Sequence, residues 1–351
     1  MLRCSYQKYT LQFIKPGGTS RGVLHEKETW IISLYDDENK GKIAYGECGL
    51  FRGLSIDDRP DYEEKLSEVC KRLPLEKEAF LSELKEWPSI YFGVEMALKD
   101  WENDGDHILF NSDFTGGKAA IDINGLIWMG SKESMISQIK NKLKHGFTCL
   151  KMKIGAIDFE SELEILQFIR NQFSSKQIEL RVDANGVFSV KEALEKLKRL
   201  SAYDIHSIEQ PIRAGQLQEM AELIEQSPIS IALDEELIGV IDIEEKRKLL
   251  EVLHPPYIIL KPTLVGGFAG SQEWIDLIEK EGGYWWVTSA LESNIGLNAI
   301  AQFIATKNNS LPQGLGTGQL YSNNFDSPLK IQQGKLFFDK SIQWNFSSLK
   351  Q

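Results

Sequence analysis

Two lysines in the middle of the chain are the first residues whose spacing points to chemistry. Lys151 and Lys153 lie two apart in residues 150–155, a run that favours β-structure. Because successive side chains of a strand point to opposite faces, both ammonium groups should share one face, with Met152 and Ile154 on the other. An exposed edge strand with solvated lysines would show the same pattern. In a parallel barrel, by contrast, inward charges at the carboxyl end of a strand line an active site.

Three acidic residues occupy comparable positions farther along. Asp183, Glu209 and Asp234 each end or follow a short run of strand-forming residues. Neighbouring strands lie about 5 Å apart, so carboxylates at three adjacent strand ends would repel one another unless a cation lay between them. Oxygen ligands suit Mg²⁺, with Mn²⁺ as an alternative, and no histidine or cysteine joins the set to favour zinc. Taken singly, each acid could be a surface carboxylate or a helix cap, but their repetition predicts a metal site.

A third lysine, Lys261, ends a later segment of the same kind and would face Lys153 across a bound substrate. A lysine acts as a base near neutral pH when burial and nearby positive charge lower its pKa. A metal ion can stabilise the charge that develops on a substrate carboxylate. The period of two also turns Arg181 and Asn185 inward beside Asp183. These residues together predict removal of a proton next to a carboxylate.

The elements that must position these residues recur at a nearly constant interval, about 25–30 residues. Eight such β/α units predict an α/β fold of the (β/α)8 type, a TIM-like barrel. A doubly wound open sheet is the alternative, but its first segment would need a G-x-G-x-x-G or phosphate loop that the chain lacks. The segment ends are Asn124, Lys153, Asp183, Glu209, Asp234, Lys261, Ser289 and Leu315.

The chain before the barrel predicts a separate α+β capping domain, residues 1–115. Strand-like segments precede helical patterning between residues 61 and 101, and the glycine-rich residues 16–22 could form a mobile lid over the site. We expect the barrel to span residues 116–322 and a C-terminal tail, 323–351, to return to the cap. The predicted strands of the cap are 10–14, 30–35 and 42–47.

Composition limits the classes of partner. The chain has 351 residues and a formal net charge of −11, which argues against nucleic acid or an anionic membrane surface as a partner. No apolar run approaches the roughly 18 residues that a membrane span needs, and the first residues lack a secretory pattern. The four scattered cysteines fit neither a disulfide framework nor a metal-binding pair. These observations predict a cytoplasmic enzyme that acts on a small carboxylate, with homo-oligomerisation left open.

The ordered set of motifs resembles the enolase superfamily, and within it the subgroup related to muconate lactonizing enzyme. The resemblance covers nearly the whole chain and implies the capping domain, the barrel, Mg²⁺ and a lysine base. The matching motifs are Lys151-Met152-Lys153, Asp183-Ala184-Asn185, Glu209-Gln210-Pro211, Asp234-Glu235 and Lys261.

Within the subgroup, residues 259–267 look most like the o-succinylbenzoate synthase family, as do residues 19–24, 46–48 and 289–294. This likeness implies Mg²⁺-dependent syn-dehydration of 2-succinyl-6-hydroxy-2,4-cyclohexadiene-1-carboxylate to 2-succinylbenzoate, a step of menaquinone biosynthesis. Lys153 would be the base and Lys261 would stabilise the enediolate. By the same resemblance, the substrate-binding residues are Lys151, Arg181, Asn185, Ser289, Leu315 and, from the capping domain, Ser20 and Arg21.

Other reactions of the subgroup start with the same proton abstraction. Dipeptide epimerases carry an acidic pair after the eighth strand that holds an ammonium group, whereas residues 314–318 here contain no acid. An N-acylamino acid racemase does not need that pair and remains the main alternative. A barrel that binds ligands without catalysis is a third hypothesis, which the complete set of lysines and acids disfavours. Gly316 and Ala290 replace residues common in the synthases, which leaves the contacts to the succinyl chain open.

Overall fold

The computed structural model describes residues 1–19, 22–38 and 41–349, and its N-terminal part is a three-stranded antiparallel sheet covered by helices. The helices bury one face of the sheet, where Trp30, Ile32, Leu66 and Leu73 form part of a common core. The strands are β1 (Leu2–Thr19), β2 (Gly22–Asp36) and β3 (Ile43–Cys48), and the helices are α1 (Tyr62–Glu76), a 3-10 helix (Lys77–Leu84) and α2 (Pro88–Glu102).

Helix α2 lies directly on strand β3. A Cβ atom at Gly46 would be 1.9 Å from the carbonyl oxygen of Gly93, so this approach requires glycine. Strands β1 and β2 are longer than the sequence predicts: Gly17 and Gly18, which fall in the predicted lid, pair with Leu24 and Val23. Glycine and proline favour a loop in isolation, but a partner strand supplies the pairing here. The predicted lid residues Ser20 and Arg21 lie outside the described residues.

The C-terminal part is a curled parallel sheet with helices around it. Seven strands pair in sequence order, and each is followed by a helix that packs against the outer face. The strands are β5 (Gly125–Ile127), β6 (Cys149–Lys153), β7 (Glu179–Asp183), β8 (Ser207–Glu209), β9 (Ser230–Leu233), β10 (Tyr257–Leu260) and β11 (Tyr284–Val287). The helices are α3 (Lys132–Lys144), α4 (Phe159–Arg170), α5 (Val190–Ser201), α6 (Leu217–Gln226), α7 (Ile243–Leu253), α8 (Pro262–Val265), α9 (Gly267–Lys280) and α10 (Asn294–Ala305).

The eighth position of the barrel differs from the predicted β/α unit. Gln313 and Gly314 make single parallel bridges, to Ile123 on one side and Thr288 on the other, and these close the ring without a regular strand. Within the described residues, the segment that follows forms a short 3-10 helix (Thr317–Gln319) instead of a barrel helix. Glycines at alternate positions from 314 to 318 are poor strand formers, which explains the shortened pairing. The predicted α/β, TIM-like fold is confirmed, with this correction.

The C-terminal residues contact both parts of the molecule. Strand β13 (Lys335–Phe338) pairs with β12 (Leu329–Gln332) on one side and with β4 (Ala120–Asp122) on the other, beside the amino-terminal end of the barrel. On the side of the capping domain, the backbone amide of Ile14 donates to the Leu320 carbonyl (2.8 Å), and that of Ser322 donates to the Gln12 carbonyl (2.9 Å). The chain after the barrel thus returns to the edge of β1. No helix in the described ranges is long and apolar enough to cross a membrane.

Candidate active site

The predicted charged residues lie at the carboxyl ends of neighbouring strands. Lys153 at the end of β6 is in register with Asp183 at the end of β7, and Asp183 is in register with Glu209 at the end of β8. Asp234 directly follows β9 and Lys261 directly follows β10. Parallel strands bring their carboxyl ends to the same edge, so residues far apart in the chain share one site.

Lysine and carboxylate groups are paired throughout this site. The Nζ atom of Lys153 donates to Asp183 Oδ2 (2.8 Å) and to Asn185 Oδ1 (2.7 Å). The Nζ atom of Lys151 lies 3.0 Å from Asp183 Oδ2 and also contacts the Glu209 carboxylate. The orientation of Lys153 is therefore fixed by two acceptors from β7 and the residues after it.

A cavity of about 820 Å³ opens beside these groups. Lys153 and Lys261 both line it, and they come from β6 and β10, which stand four positions apart in the sheet. Strands that far apart in a ring of eight positions face each other, so the two lysines approach the cavity from opposite sides. Lys261 also contacts the Asp234 carboxylate. That the two lysines face each other across a substrate stays a prediction.

Burial and charge set the ionisation of the site. Burial favours a neutral Asp183, but Lys151 and Lys153 outweigh it and hold the pKa of that carboxyl well below its usual range. Burial likewise disfavours charge on Lys151 and Lys261, yet the nearby carboxylates raise the pKa of both above the ordinary lysine value. Burial and the negative charge of Asp183 raise the pKa of Glu209 to about 8, despite Lys151. The positive charge of Lys151 thus does not offset the burial of Glu209 and its repulsion by Asp183.

The positions of the three acids relative to the lysines bear on metal binding. Across residues 1–19, 22–38 and 41–349, no three acidic, histidine or cysteine side chains converge on one point, because the lysine ammonium groups lie between the carboxylates. The donor set nevertheless fits a hard divalent cation. The Oε1 atom of Glu209 is buried and has no hydrogen-bond partner among the described residues. A carboxylate oxygen left without a partner and a raised pKa both favour an additional cation.

Two of the predicted substrate-binding residues do not reach the cavity. The Arg181 guanidinium is buried under the site, where it donates to Glu179 (2.7 Å) and the Pro312 carbonyl (2.9 Å) and stacks on Trp286. The side chain of Leu315 is buried in the barrel core. Asn185, Ser289 and Lys151 do line the cavity. Strand period gave the correct face for Arg181, but its long side chain extends towards the amino-terminal end of the barrel.

The cavity has lining residues that the sequence did not indicate as site residues. The loop after β3 in the capping domain contributes Phe51 and Arg52 to the cavity wall, and the loop after β5 contributes Trp128. Asn124 and Thr317 also line it, with 4% and 6% of their surface exposed. Asn124 Oδ1 and Thr317 Oγ1 have no hydrogen-bond partner among the described residues. Both atoms can therefore form a hydrogen bond with a polar group of a ligand in the cavity. Asn124 ends the first predicted segment, but no pattern marks Thr317.

Residues 134–340 match the family described as enolase C-terminal domain-like. The chain belongs to the enolase superfamily. This superfamily member is 45% identical to the o-succinylbenzoate synthase of Desulfotalea psychrophila, over 95% of this chain and 98% of that protein. The crystal structure of MenC from Desulfotalea psychrophila is similar too, with a TM-score of 0.84 and 42% identity, covering 96% of this chain and 99% of that one. The L-Ala-D/L-Glu epimerase of Bacillus subtilis is 25% identical over 95% of this chain and 89% of that protein. Membership of the enolase superfamily, predicted from the motifs, is confirmed.

Proposed function

We propose that this enolase superfamily member is an o-succinylbenzoate synthase, a lyase that dehydrates 2-succinyl-6-hydroxy-2,4-cyclohexadiene-1-carboxylate to 2-succinylbenzoate in menaquinone biosynthesis. The observation that carries the proposal is the 45% identity to a synthase over nearly the full length of both proteins. The epimerase relative, at 25%, is far less similar. The lysines that face each other across one cavity supply the chemistry that this dehydration needs.

Lys153 is the proposed base. It removes the proton beside the ring carboxylate, which leaves an enediolate, and the same ammonium group then gives its proton to the departing hydroxyl, so that water and the aromatic product are released. Its contacts with Asp183 and Asn185 hold Nζ in place for both transfers. Lys261, on the opposite side of the cavity, keeps a positive charge beside the enediolate.

Asp183, Glu209 and Asp234 are the proposed ligands of Mg²⁺, for which Mn²⁺ could substitute. When bound, the cation supplies positive charge that lowers the free energy of the enediolate. Lys151 contacts both Asp183 and Glu209, so we assign it to orienting these acids and not to proton transfer.

The substrate carries a second carboxylate on its succinyl chain. Asn124 and Thr317 are close to the eighth position of the barrel, and each offers a buried polar group to the cavity. The Thr317 hydroxyl can donate to a carboxylate, whereas Asn124 Oδ1 can accept from a donor group of the substrate. We therefore assign the succinyl end of the substrate to this side of the cavity, with Ser289 on its rim. The substrate class is a small dicarboxylate, and a cytoplasmic location is the setting that we propose for it.

An N-acylamino acid racemase is the second candidate. The cavity wall at the eighth position is formed by Gly314, Gly316 and Thr317, and none of these can neutralise a substrate ammonium group. A neutral acyl group fits such a wall, whereas the free amino group of a dipeptide does not.

Loss of the diene absorbance of the substrate, with the purified enzyme and Mg²⁺, tests the function. We expect turnover that EDTA abolishes, and a loss of at least about 1000-fold in Lys153→Ala because the base is removed. Lys176→Ala, which removes an exposed lysine, is the matched control and should behave as wild type. No turnover by the wild-type enzyme, combined with α-proton exchange of N-succinylamino acids in D₂O, would favour the racemase instead.

A further inference from the structure

A buried carboxylate that is neither base nor metal ligand joins two neighbouring segments at the carboxyl end of the barrel. Glu292 has none of its surface exposed. Its Oε2 atom accepts a hydrogen bond from Ser289 Oγ (2.5 Å), and its Oε1 atom accepts one from Thr263 Oγ1. Ser289 lines the cavity, and Thr263 is two residues beyond Lys261. One carboxylate therefore fixes helix α8, which follows Lys261, relative to the loop after β11.

The capping domain provides the positive charge that faces Glu292. Lys27 of β2 is 7% exposed, and its Nζ atom donates to the Gly49 carbonyl (3.2 Å). Burial lowers the pKa of Lys27, and the negative charges of Glu47 and Glu292 act in the opposite direction. Burial raises the pKa of Glu292, and Lys27 is the first group that opposes this rise. The two buried charges thus favour each other's ionised form.

Gly49 of the cap packs directly on the same cluster. A Cβ atom at this position would be 3.2 Å from Glu292 Cγ and 3.3 Å from Thr263 Cγ2. These separations are tighter than ordinary van der Waals contact. The backbone of the capping domain just after β3 therefore packs against the side chains of both Glu292 and Thr263.

Glu47, the other buried acid near Lys27, is hydrogen-bonded to the start of helix α10. It accepts hydrogen bonds from the backbone amides of Ser293 and Gly296 (both 2.8 Å), from Ser293 Oγ (2.5 Å) and from Thr29 Oγ1 (2.9 Å). Its charge is shared with the amino-terminal end of a helix. Glu292, by contrast, accepts from two hydroxyl groups, and Lys27 is the cation that opposes the effect of its burial.

We propose that Glu292 is a positioning residue of the reaction, which sets Lys261 and Ser289 relative to each other and is held in place by Lys27 and Gly49 of the capping domain. The cap then does more than cover the substrate, since its docking fixes the geometry of the barrel residues that face the substrate. The reaction readout of this proposal rests on the proposed synthase function.

Turnover of the synthase substrate by single and double variants tests the proposal. Glu292→Gln keeps the size of the side chain and removes its charge. We expect kcat to fall about 10- to 100-fold because Lys261 is displaced, and KM to rise by a smaller factor because Ser289 on the rim moves as well. Lys27→Met should lower kcat in the same way. In the double variant, the fold decrease in kcat should be clearly smaller than the product of the fold decreases of the two single variants. The reason is that neither buried charge then lacks its partner.

Glu95→Gln is the matched control. Glu95 also joins the cap to the barrel, where it accepts from the backbone amide of Phe268 (2.6 Å), but it lies at helix α9 away from the cavity. It should keep wild-type kcat and KM. If Glu292→Gln does not fold, Thr263→Val, which removes one of the two hydroxyl donors, should still lower kcat.

Wild-type kcat in Glu292→Gln or Thr263→Val would overturn the proposal. A fold decrease in kcat of the double variant equal to the product of the two single decreases would also overturn it. Failure of the function itself looks different, since the wild-type enzyme would then not turn over the substrate. In that case the same variants are compared by α-proton exchange of N-succinylamino acids in D₂O, with the same expected pattern.

Discussion

Asp57 offers a prediction that links the ionisation of the cap to a loop over the cavity. It lies in the loop between β3 and α1, a few residues after Phe51 and Arg52, which line the cavity. Its Oδ2 atom accepts from the backbone amide (2.9 Å) and the hydroxyl (2.6 Å) of Ser89 in the first turn of α2. Burial raises the pKa of Asp57 to about 6, and the bonds from Ser89 only partly offset this. We predict that Asp57→Asn stabilises the protein more at pH 8 than at pH 5.

The magnitude follows from the difference between the two states. An ordinary aspartate has a pKa of 3.8, about two units below the folded value of Asp57. Each unit corresponds to about 1.4 kcal/mol, so ionised Asp57 costs the folded state about 3 kcal/mol above pH 6. As pH rises from about 4, Asp57 loses its proton in the unfolded chain before it does so in the folded protein. The free energy of unfolding therefore falls until pH passes the pKa of Asp57 in the folded state. Between pH 5 and pH 8 this contribution changes by about 1.4 kcal/mol.

Urea unfolding of the wild type and of Asp57→Asn at both pH values measures this change. Any constant effect of the amide on the Ser89 contacts cancels when the two pH values are compared. Asp61→Asn, which replaces an exposed acid at the end of the same loop, should give the same free-energy difference at both pH values. If Asp57→Asn changed the free energy of unfolding equally at pH 5 and pH 8, or stabilised the protein more at pH 5, the reasoning would be refuted.

Three further predictions concern the barrel. Mg²⁺ at one hundred times its Kd should stabilise the wild type by about 2.7 kcal/mol in thermal unfolding, and Glu209→Gln should lose most of that gain; equal gains would contradict the ligand assignment. Thr317→Val should raise KM about 5- to 10-fold with kcat unchanged, the effect of one lost hydrogen bond, and a KM within twofold of wild type would argue against contact with the substrate. Arg181→Met should destabilise the fold by about 3 kcal/mol because Glu179 loses its partner, while KM stays constant; a raised KM would restore the substrate contact expected from the sequence.

The sequence was most informative where local rules act together. A period of two and the common edge of parallel strands were enough to predict that Lys153, Asp183 and Glu209 would meet, and the register of β6, β7 and β8 agrees. Arg181 shows the limit of that rule. Period specifies a face, but the direction of a long side chain depends on partners such as Glu179 and Trp286, which only the fold brings near.

Contacts that depend on irregular segments or on the docking of the cap could not be predicted from the sequence. Thr317 lies in a glycine-rich segment without a periodic pattern, so nothing indicated that its hydroxyl would be buried in the cavity. The eighth segment resembled its seven predecessors in spacing, yet only Gln313 and Gly314 make bridges. Glu292 was part of a recognised motif, but its contacts with Thr263 and the facing Lys27 depend on the docking of the cap.

The return of the chain to β1 bears on how such proteins can be recombined. A bridge joins Phe13 to Tyr321, and the Tyr9 ring packs against Phe325, with ring centres 4.9 Å apart. The Tyr9 hydroxyl also donates to the Asn323 carbonyl (2.7 Å). A chimera that exchanged only the first hundred or so residues with a relative would therefore separate strands from partners encoded at the other end of the gene. Crossovers that keep both ends from one parent and exchange a central β/α unit should yield folded hybrids far more often.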